Sequence, residues 1–153
     1  MNRFRARNAS TANLLVAPER VWDVLTDPEL LPALTPQLKR IEVDGDRWTW
    51  HLSHIPVMSA TVMPVFTEVM TFEEPSRISF THDPTRTDER TGVEGSYVLT
   101  PFGTGTRVVI DLELWCDLPL PRLSRIAVEA VMFGVVAAMG RRFGTNMLRH
   151  LGE

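Results

Sequence analysis

The stretch from residue 106 to residue 151, TRVVIDLELWCDLPLPRLSRIAVEAVMFGVVAAMGRRFGTNMLRHL, decides the fold class of this chain. Its first part, residues 106–117, alternates between apolar and mostly polar side chains, which is typical of a β-strand with one buried face. Its second part, residues 121–151, has apolar residues at three-four spacing, which predicts one long helix. A long helix directly after the last strand indicates an α+β protein in which that helix packs against a sheet.

The residues upstream predict the rest of an antiparallel sheet of about six to seven strands. We expect strands at 8–16, 38–43, 47–54, 57–73, 77–82 and 95–101, in addition to 106–117. The turn sequence Asp44-Gly45-Asp46 suits a hairpin, because Asp-Gly tolerates the positive φ angles of such turns. Two short helices, at 17–25 and 28–34, are expected after the first strand, since Pro18 favours a helix start and Pro28 a helix stop.

Composition excludes several classes of protein. The chain has 153 residues, 44% of them hydrophobic, and a net charge of −3, which predicts one domain over residues 1–153 and no nucleic-acid partner. Cys116 is the sole cysteine, so neither an internal disulfide nor a multi-cysteine metal site is expected, and a cytoplasmic location follows. The most apolar segment, 126–139, contains Glu129 and is shorter than a membrane-spanning helix, which predicts no integral membrane association.

The order of these elements resembles that of the START-like, or SRPBCC, helix-grip superfamily. Two segments carry the resemblance: VAPERVWDVLTDP at 16–28, similar to the first-strand exit and first helix, and TEVMTFEEPSRISF at 67–80, similar to the middle hairpin. The superfamily includes polyketide cyclase/dehydrase-like proteins, lipid-transfer domains and proteins of the birch-pollen-allergen type. The resemblance implies a sheet wrapped around the C-terminal helix, with a cavity between them, and it leaves the function open.

Side chains of one parity on several strands, together with part of the long helix, would line that cavity. Trp48 and Trp50 alternate with polar residues and share one face, as would be expected of an aromatic wall. The expected lining comprises Trp48, Trp50, His54, Met70, Phe72, Phe80, Tyr97, Ile110, Leu112, Leu114, Phe133 and Ala137. The same residues would also make a closed core, and the size of the gap between helix and sheet decides between the two interpretations.

Three polar residues could enter the cavity. His54 shares the parity of the two tryptophans and could be a polar anchor in the cavity or a histidine at its rim. His51 has the opposite parity, which argues against a metal site formed by His51 and His54 together. Glu68 enters the cavity if Phe66 faces inward and is solvated if the alternate residues do. The strand around Tyr97 does not fix the direction of its hydroxyl.

Three functions are compatible with these features. The leading hypothesis is a non-catalytic carrier of a small hydrophobic ligand, with no cofactor, no metal and no catalytic residue. The alternative is an enzyme of the polyketide cyclase/dehydratase kind, which would use His54, Glu68 and Tyr97 as acid-base groups. A third is a protein-interaction module like the co-chaperone branch of the superfamily, which predicts a large exposed apolar patch. An additional apolar face on the long helix could form a homodimer.

Overall fold

The computed structural model describes residues 1–153 and contains nine strands, three α-helices and one short 3₁₀ helix. The strands are β1 (Asn2–Leu14), β2 (Leu38–Asp44), β3 (Arg47–Leu52), β4 (Ile55–Val57), β5 (Ala60–Val62), β6 (Val65–Glu73), β7 (Arg77–His82), β8 (Thr91–Phe102) and β9 (Gly105–Leu118). The helices are α1 (Pro18–Leu25), α2 (Leu30–Leu34) and α3 (Arg125–Leu151), and the 3₁₀ helix Arg122–Ser124 precedes α3.

Seven strands form one antiparallel sheet in the order β1-β9-β8-β7-β6-β3-β2, and β4 pairs with β5 in a small separate hairpin. The first strand, β1, therefore lies beside the last strand, β9, at one edge of the sheet, and β2 forms the other edge. The predicted α+β helix-grip fold, with two short helices after the first strand and a long C-terminal helix, is confirmed.

The boundaries of several strands differ from the prediction. β1 begins at Asn2 rather than at residue 8, because arginines on its outer face pair with acids on β9. Arg3 and Asp117 are 2.8 Å apart, as are Arg7 and Asp111. These charged positions made the start of the chain look irregular in the sequence, although the other face of the strand buries Phe4.

The core lies between the inner face of the sheet and the helices. α1 buries Val21, Trp22, Val24 and Leu25 against it, and α2 buries Leu31 and Leu34. The predicted strand over 57–73 is interrupted, since β4 and β5 turn at Met58, whose φ is 58°. The hairpin β8–β9 closes through the two residues Gly103 and Thr104.

The face of α3 that packs against the sheet differs from the predicted one. The buried side chains of α3 are Val128, Met132, Met147 and Leu151, with Val131, Val135, Met139 and Phe143 partly buried beside them. Phe133, which we expected to line the cavity, is exposed on the opposite side, as is Ala130. The error arises because the middle of this helix is apolar nearly all round, so spacing alone does not choose between its two apolar faces.

The apolar segment 126–139 is part of a longer helix. By length and composition, the helical segment Arg122–Leu151, with 30 residues, could cross a bilayer. In this fold one face of the helix packs on the protein core, and the opposite face is exposed.

Candidate functional site

An aromatic wall covers the inner face of β3, β6 and β7. Trp48 lies opposite Glu68, and Trp50 lies opposite Phe66, across the β3–β6 pair. The rings of Trp50 and Phe66 are stacked, with centroids 6.1 Å apart and planes 9° apart. The predicted alternation of β3 is therefore correct, and it places both tryptophans on the side of the sheet that faces the core.

The wall continues on the next two strands. Met70 and Phe80 are paired across β6 and β7, and both are buried. The ring of Phe80 lies 5.5 Å from that of Tyr97 on β8. Together these side chains form a continuous apolar surface from β3 to β8. Five residues of the predicted lining belong to it: Trp48, Trp50, Met70, Phe80 and Tyr97.

Helix α3 is held at its two ends rather than in its middle. At the N-terminal end, the Glu129 carboxylate accepts a hydrogen bond of 2.7 Å from the backbone N–H of Arg5. At the C-terminal end, the amide of Asn146 donates to the carbonyl of Leu34 at 2.9 Å, and the Glu153 carboxylate accepts from the backbone N–H of Leu15. The middle of the helix therefore bridges the sheet between two fixed points.

Between these points the interior is only partly closed. Ile110, Leu112 and Leu114 of β9 face the core but keep part of their surface accessible to solvent. On β1, Ser10 and Ala12 have the same parity as the buried Phe4, yet both are exposed. The sheet and α3 thus leave an opening beside the middle of β1.

A carboxyl group lies inside this apolar interior. Glu68 is 3% exposed, and its Oε2 is buried without a hydrogen-bond partner. Burial raises the pKa of Glu68 well above its usual range, because the surrounding apolar groups disfavour the charged form. The open question of its direction is thereby decided: Glu68 points inward with Phe66, into surroundings that disfavour its charged form.

Two further polar groups share this region. Burial raises the pKa of the Tyr97 phenol, and the nearby Glu68 carboxyl raises it further. The indole Nε1 of Trp50 is buried and has no acceptor. A buried polar atom without a partner is costly, so Glu68 and Trp50 each offer an unused hydrogen-bonding group to a molecule placed between sheet and helix.

Three of the predicted lining residues do not face the interior, and Phe72 lies at its margin. His54 lies after the end of β3 and is exposed, which removes it as an internal acid or base. Phe133 is 49% exposed, and Ala137 is on the same outer side of α3, away from the core. Phe72 is 40% exposed, since it lies near the end of β6, where it closes the margin of the aromatic cluster against Trp22.

Sequence reasoning also missed part of the lining. The α3 side chains that face the sheet are Val131, Val135, Met139 and Phe143, one to two positions away in phase from the predicted set. Glu129 is the sequence feature that could have indicated the rotation of the helix, because its carboxylate accepts a hydrogen bond from the backbone of β1 at Arg5. Phe66, which is not in the predicted lining, also belongs to the wall, since its ring stacks on that of Trp50.

Two concavities of the molecule lie outside this interior. One, of about 620 Å³, is bounded by Thr49, His51, Val65, Arg86 and Glu89, on the outer face of β3 and β6. The other, of about 310 Å³, lies between α2 and the end of α3. Neither of these two lies between the aromatic wall and α3.

A hydrogen-bonded network fixes the loop over that outer face. The Glu89 carboxylate accepts from the backbone N–H and from the hydroxyl of Thr67, both at 2.7 Å, and lies 2.9 Å from His82 Nε2. Thr67 in turn contacts the hydroxyl of Thr49 at 2.9 Å. Because every oxygen of Glu89 has a partner, this buried carboxylate is satisfied, and its contacts attach the 83–90 loop to β6.

Comparison with known families agrees with the fold. A family profile described as polyketide cyclase / dehydrase and lipid transport matches residues 6–151. No curated protein is significantly similar to the chain in sequence.

Solved structures with the same architecture are numerous and distant in sequence. A START superfamily protein from Mycobacterium smegmatis has 14% identity and a TM-score of 0.70, with 94% of this chain and 95% of that chain covered. A conserved protein from Geobacillus kaustophilus has 17% identity and a TM-score of 0.69, with 94% and 93% covered. An aromatase/cyclase from Streptomyces sp. R1128 has 16% identity and a TM-score of 0.64, with 95% of each chain covered. At these identities, the likeness establishes the fold.

Proposed function

This chain belongs to the polyketide cyclase/dehydrase and lipid-transport family, and on that premise we propose that it binds one small, mostly apolar molecule between the sheet and α3. The observation that carries the proposal is the pair of unpartnered buried polar atoms, Glu68 Oε2 and Trp50 Nε1, in an otherwise aromatic interior. Binding sites of this kind are mainly apolar with a few polar groups that orient the ligand.

The wall determines the shape of the ligand. Stacked and tilted rings, such as those of Trp50 and Phe66, present flat faces that suit an aromatic or conjugated molecule. The partly accessible Ile110, Leu112 and Leu114 form the opposite part of the lining. Because neither described concavity reaches the space between the wall and α3, we expect the ligand to enter beside β1 as α3 shifts between its two anchored ends.

The polar groups determine the end of the ligand that is recognised. A neutral Glu68 carboxyl can donate one hydrogen bond and accept another, and the Trp50 indole can only donate. A hydroxyl or carbonyl on the ligand would satisfy both groups and recover the cost of leaving them unpaired. We therefore expect neutral ligands with one oxygen function to bind better than pure hydrocarbons.

Two probes of nearly the same shape test this preference. We expect 2-naphthol to bind more tightly than naphthalene, by about 1 kcal/mol or roughly fivefold in Kd, the usual net contribution of one hydrogen bond. Quenching of tryptophan fluorescence follows the binding, since Trp48 and Trp50 belong to the wall. The variant Glu68→Leu should reduce the preference for 2-naphthol and leave naphthalene binding nearly unchanged.

A matched control separates site effects from general effects. Glu94 on β8 is exposed, so Glu94→Leu should retain the wild-type preference for 2-naphthol. If neither probe binds, or if Glu68→Leu and Glu94→Leu behave alike, the proposed site is wrong.

Catalysis is the second candidate function, and the proximity of Glu68 and Tyr97 favours it. A neutral carboxyl in an apolar site can act as a general acid, for example by protonating the departing hydroxyl of a β-hydroxy ketone. The carboxylate that this leaves would then take the proton from the α-carbon, so that the products are an enone and water and the acid is regenerated. Formation of the enone is followed by its ultraviolet absorbance. Glu68→Gln should abolish turnover while binding persists; equal turnover in Glu68→Gln and wild type would exclude Glu68 as the acid.

A further inference from the structure

The side of α3 that faces away from the sheet is apolar and uncovered. Leu123 is 101% exposed and Ile126 is 89% exposed. We define the outer stripe as the exposed residues Leu123, Ile126, Ala127, Ala130, Phe133 and Gly134. Contiguous apolar patches of this kind commonly mark a protein or membrane interaction site.

The charges beside the outer stripe have one sign. Arg122 and Arg125 lie at its N-terminal end, and Arg141 and Arg142 follow its C-terminal end; all four are exposed. Residues 122–151 contain five arginines and a single acid, Glu129, whose carboxylate is bonded to the backbone of Arg5. This is unlike the chain as a whole, which has three more acidic than basic residues.

We propose that the outer stripe docks on the surface of an anionic lipid bilayer, with α3 lying in the plane of the interface. Apolar side chains enter the boundary between headgroups and acyl chains, while arginines at both ends contact lipid phosphates. The opposite face of α3 holds the core through Val128 and Met132, so the helix can lie on a bilayer without leaving the sheet.

The charge pattern argues against a second copy of the chain as the occupant. In an antiparallel pairing of two such helices across a two-fold axis, the arginines at one end of the stripe would meet those at the other end of the second copy. In a parallel pairing, identical arginines would meet. No free carboxylate on the stripe offsets either repulsion, whereas an anionic surface complements both ends.

Co-sedimentation with vesicles tests the proposal. The full chain should bind vesicles of phosphatidylcholine mixed with phosphatidylglycerol, bind phosphatidylcholine alone much less, and dissociate as salt increases. Ile126→Glu should weaken the association at least about tenfold. Arg125→Gln and Arg141→Gln should each weaken it about fivefold, the equivalent of roughly 1 kcal/mol per arginine at such a surface.

Val43→Glu is the matched control, because Val43 is a half-exposed apolar residue on β2, an edge strand. It should bind vesicles as the wild type does, and all variants should keep the wild-type Tm, since the altered side chains are exposed. Failure to bind the mixed vesicles overturns the proposal, as does equal binding by Ile126→Glu and Val43→Glu. The proposal is also overturned if the protein forms a stable dimer that Ile126→Glu dissociates. It is overturned as well if the protein binds a protein partner through Ile126 and does not bind vesicles.

This proposal and the proposed ligand site fail separately. Ile126 is outside the interior, so Ile126→Glu should keep the affinity for 2-naphthol while losing vesicles. Glu68→Leu should show the reverse.

Discussion

Replacement of Glu68 by leucine should stabilise the ligand-free protein. Most substitutions at a buried position destabilise, because they leave a cavity or unpaired groups. Glu68 is 3% exposed, lies among the aromatic side chains of β3, β6 and β7, and has one carboxyl oxygen without a partner. Leucine has a similar size and no polar atom, so it removes an unsatisfied group at little cost in packing.

The size of the effect follows from that missing hydrogen bond. A buried polar group without a partner costs about 1–3 kcal/mol, and Glu68→Leu should increase the free energy of unfolding by an amount in that range. For a chain of about 150 residues, each kcal/mol shifts the Tm by about 2–4 °C. We therefore expect an increase in Tm of roughly 2–12 °C.

Urea denaturation and thermal unfolding at neutral pH measure the change, and Glu89→Leu is the comparison. The Glu89 side chain is also buried, at 8% exposed, but its oxygens accept bonds from Thr67 and contact His82. Its loss should destabilise the protein. If Glu68→Leu is destabilising to a similar degree, then Glu68 has a stabilising partner and our account of the interior is wrong.

The pH dependence gives an independent check on Glu68. Its pKa is raised in the folded protein, so the folded state binds this proton more tightly than the unfolded state does. The resulting stability is complete below the unfolded pKa of about 4.3 and is lost as pH rises through the folded pKa. Glu68→Gln, which cannot titrate, should lack this loss; parallel stability profiles for Glu68→Gln and wild type would contradict the raised pKa.

Three further predictions concern the scaffold. The pKa of Asp83 is lowered, mainly by hydrogen bonds from Thr85, so Asp83→Asn should destabilise the protein at neutral pH. The difference in stability between wild type and variant should disappear as pH falls from 3.8 through the lower pKa of the folded state. A difference in urea denaturation that stays constant with pH would contradict this. Gly105→Ala would place a Cβ against the carbonyl oxygen of Leu14 and should lower the free energy of unfolding by about 1–3 kcal/mol or more; an unchanged denaturation midpoint would contradict the close approach. Glu129→Ala should cost about 1 kcal/mol and accelerate hydrogen exchange at the N–H of Arg5, which loses its acceptor; unchanged exchange would show that this bond does not anchor α3.

The sheet could be predicted from sequence because its strands have one buried and one polar face. On β3 the alternation of Trp48 and Trp50 with Thr49 and His51 gave the correct inner face. On β9 the even positions from Val108 to Cys116 did the same. A side chain on a strand can point to only two faces of the sheet, so each polar residue at alternate positions indicates the same outer face.

The helix could not be placed in the same way. α3 is apolar around nearly its whole circumference between Val128 and Met139, so periodicity predicts a buried helix without giving its rotation. The rotation is set by contacts distant in sequence, such as that of Glu129 with Arg5 and that of Asn146 with Leu34. His54 failed for a different reason, since β3 ends at Leu52 and parity has no meaning beyond the strand.

Two buried carboxyls of this protein, Glu68 on β6 and Glu89 packed against it, show why Glu68 is the better functional candidate. Glu89 is fully hydrogen-bonded, and its contacts hold a loop to the outer face; stability alone accounts for it. Glu68, on the inner face, costs stability and gains no bond within the chain. A residue that breaks a local rule of folding without compensation is expected at a site of function. The expected stability of Glu68→Leu and its expected loss of preference for 2-naphthol therefore test the same claim. Without ligand, the variant should be more stable than the wild type. With ligand, it should discriminate less between 2-naphthol and naphthalene.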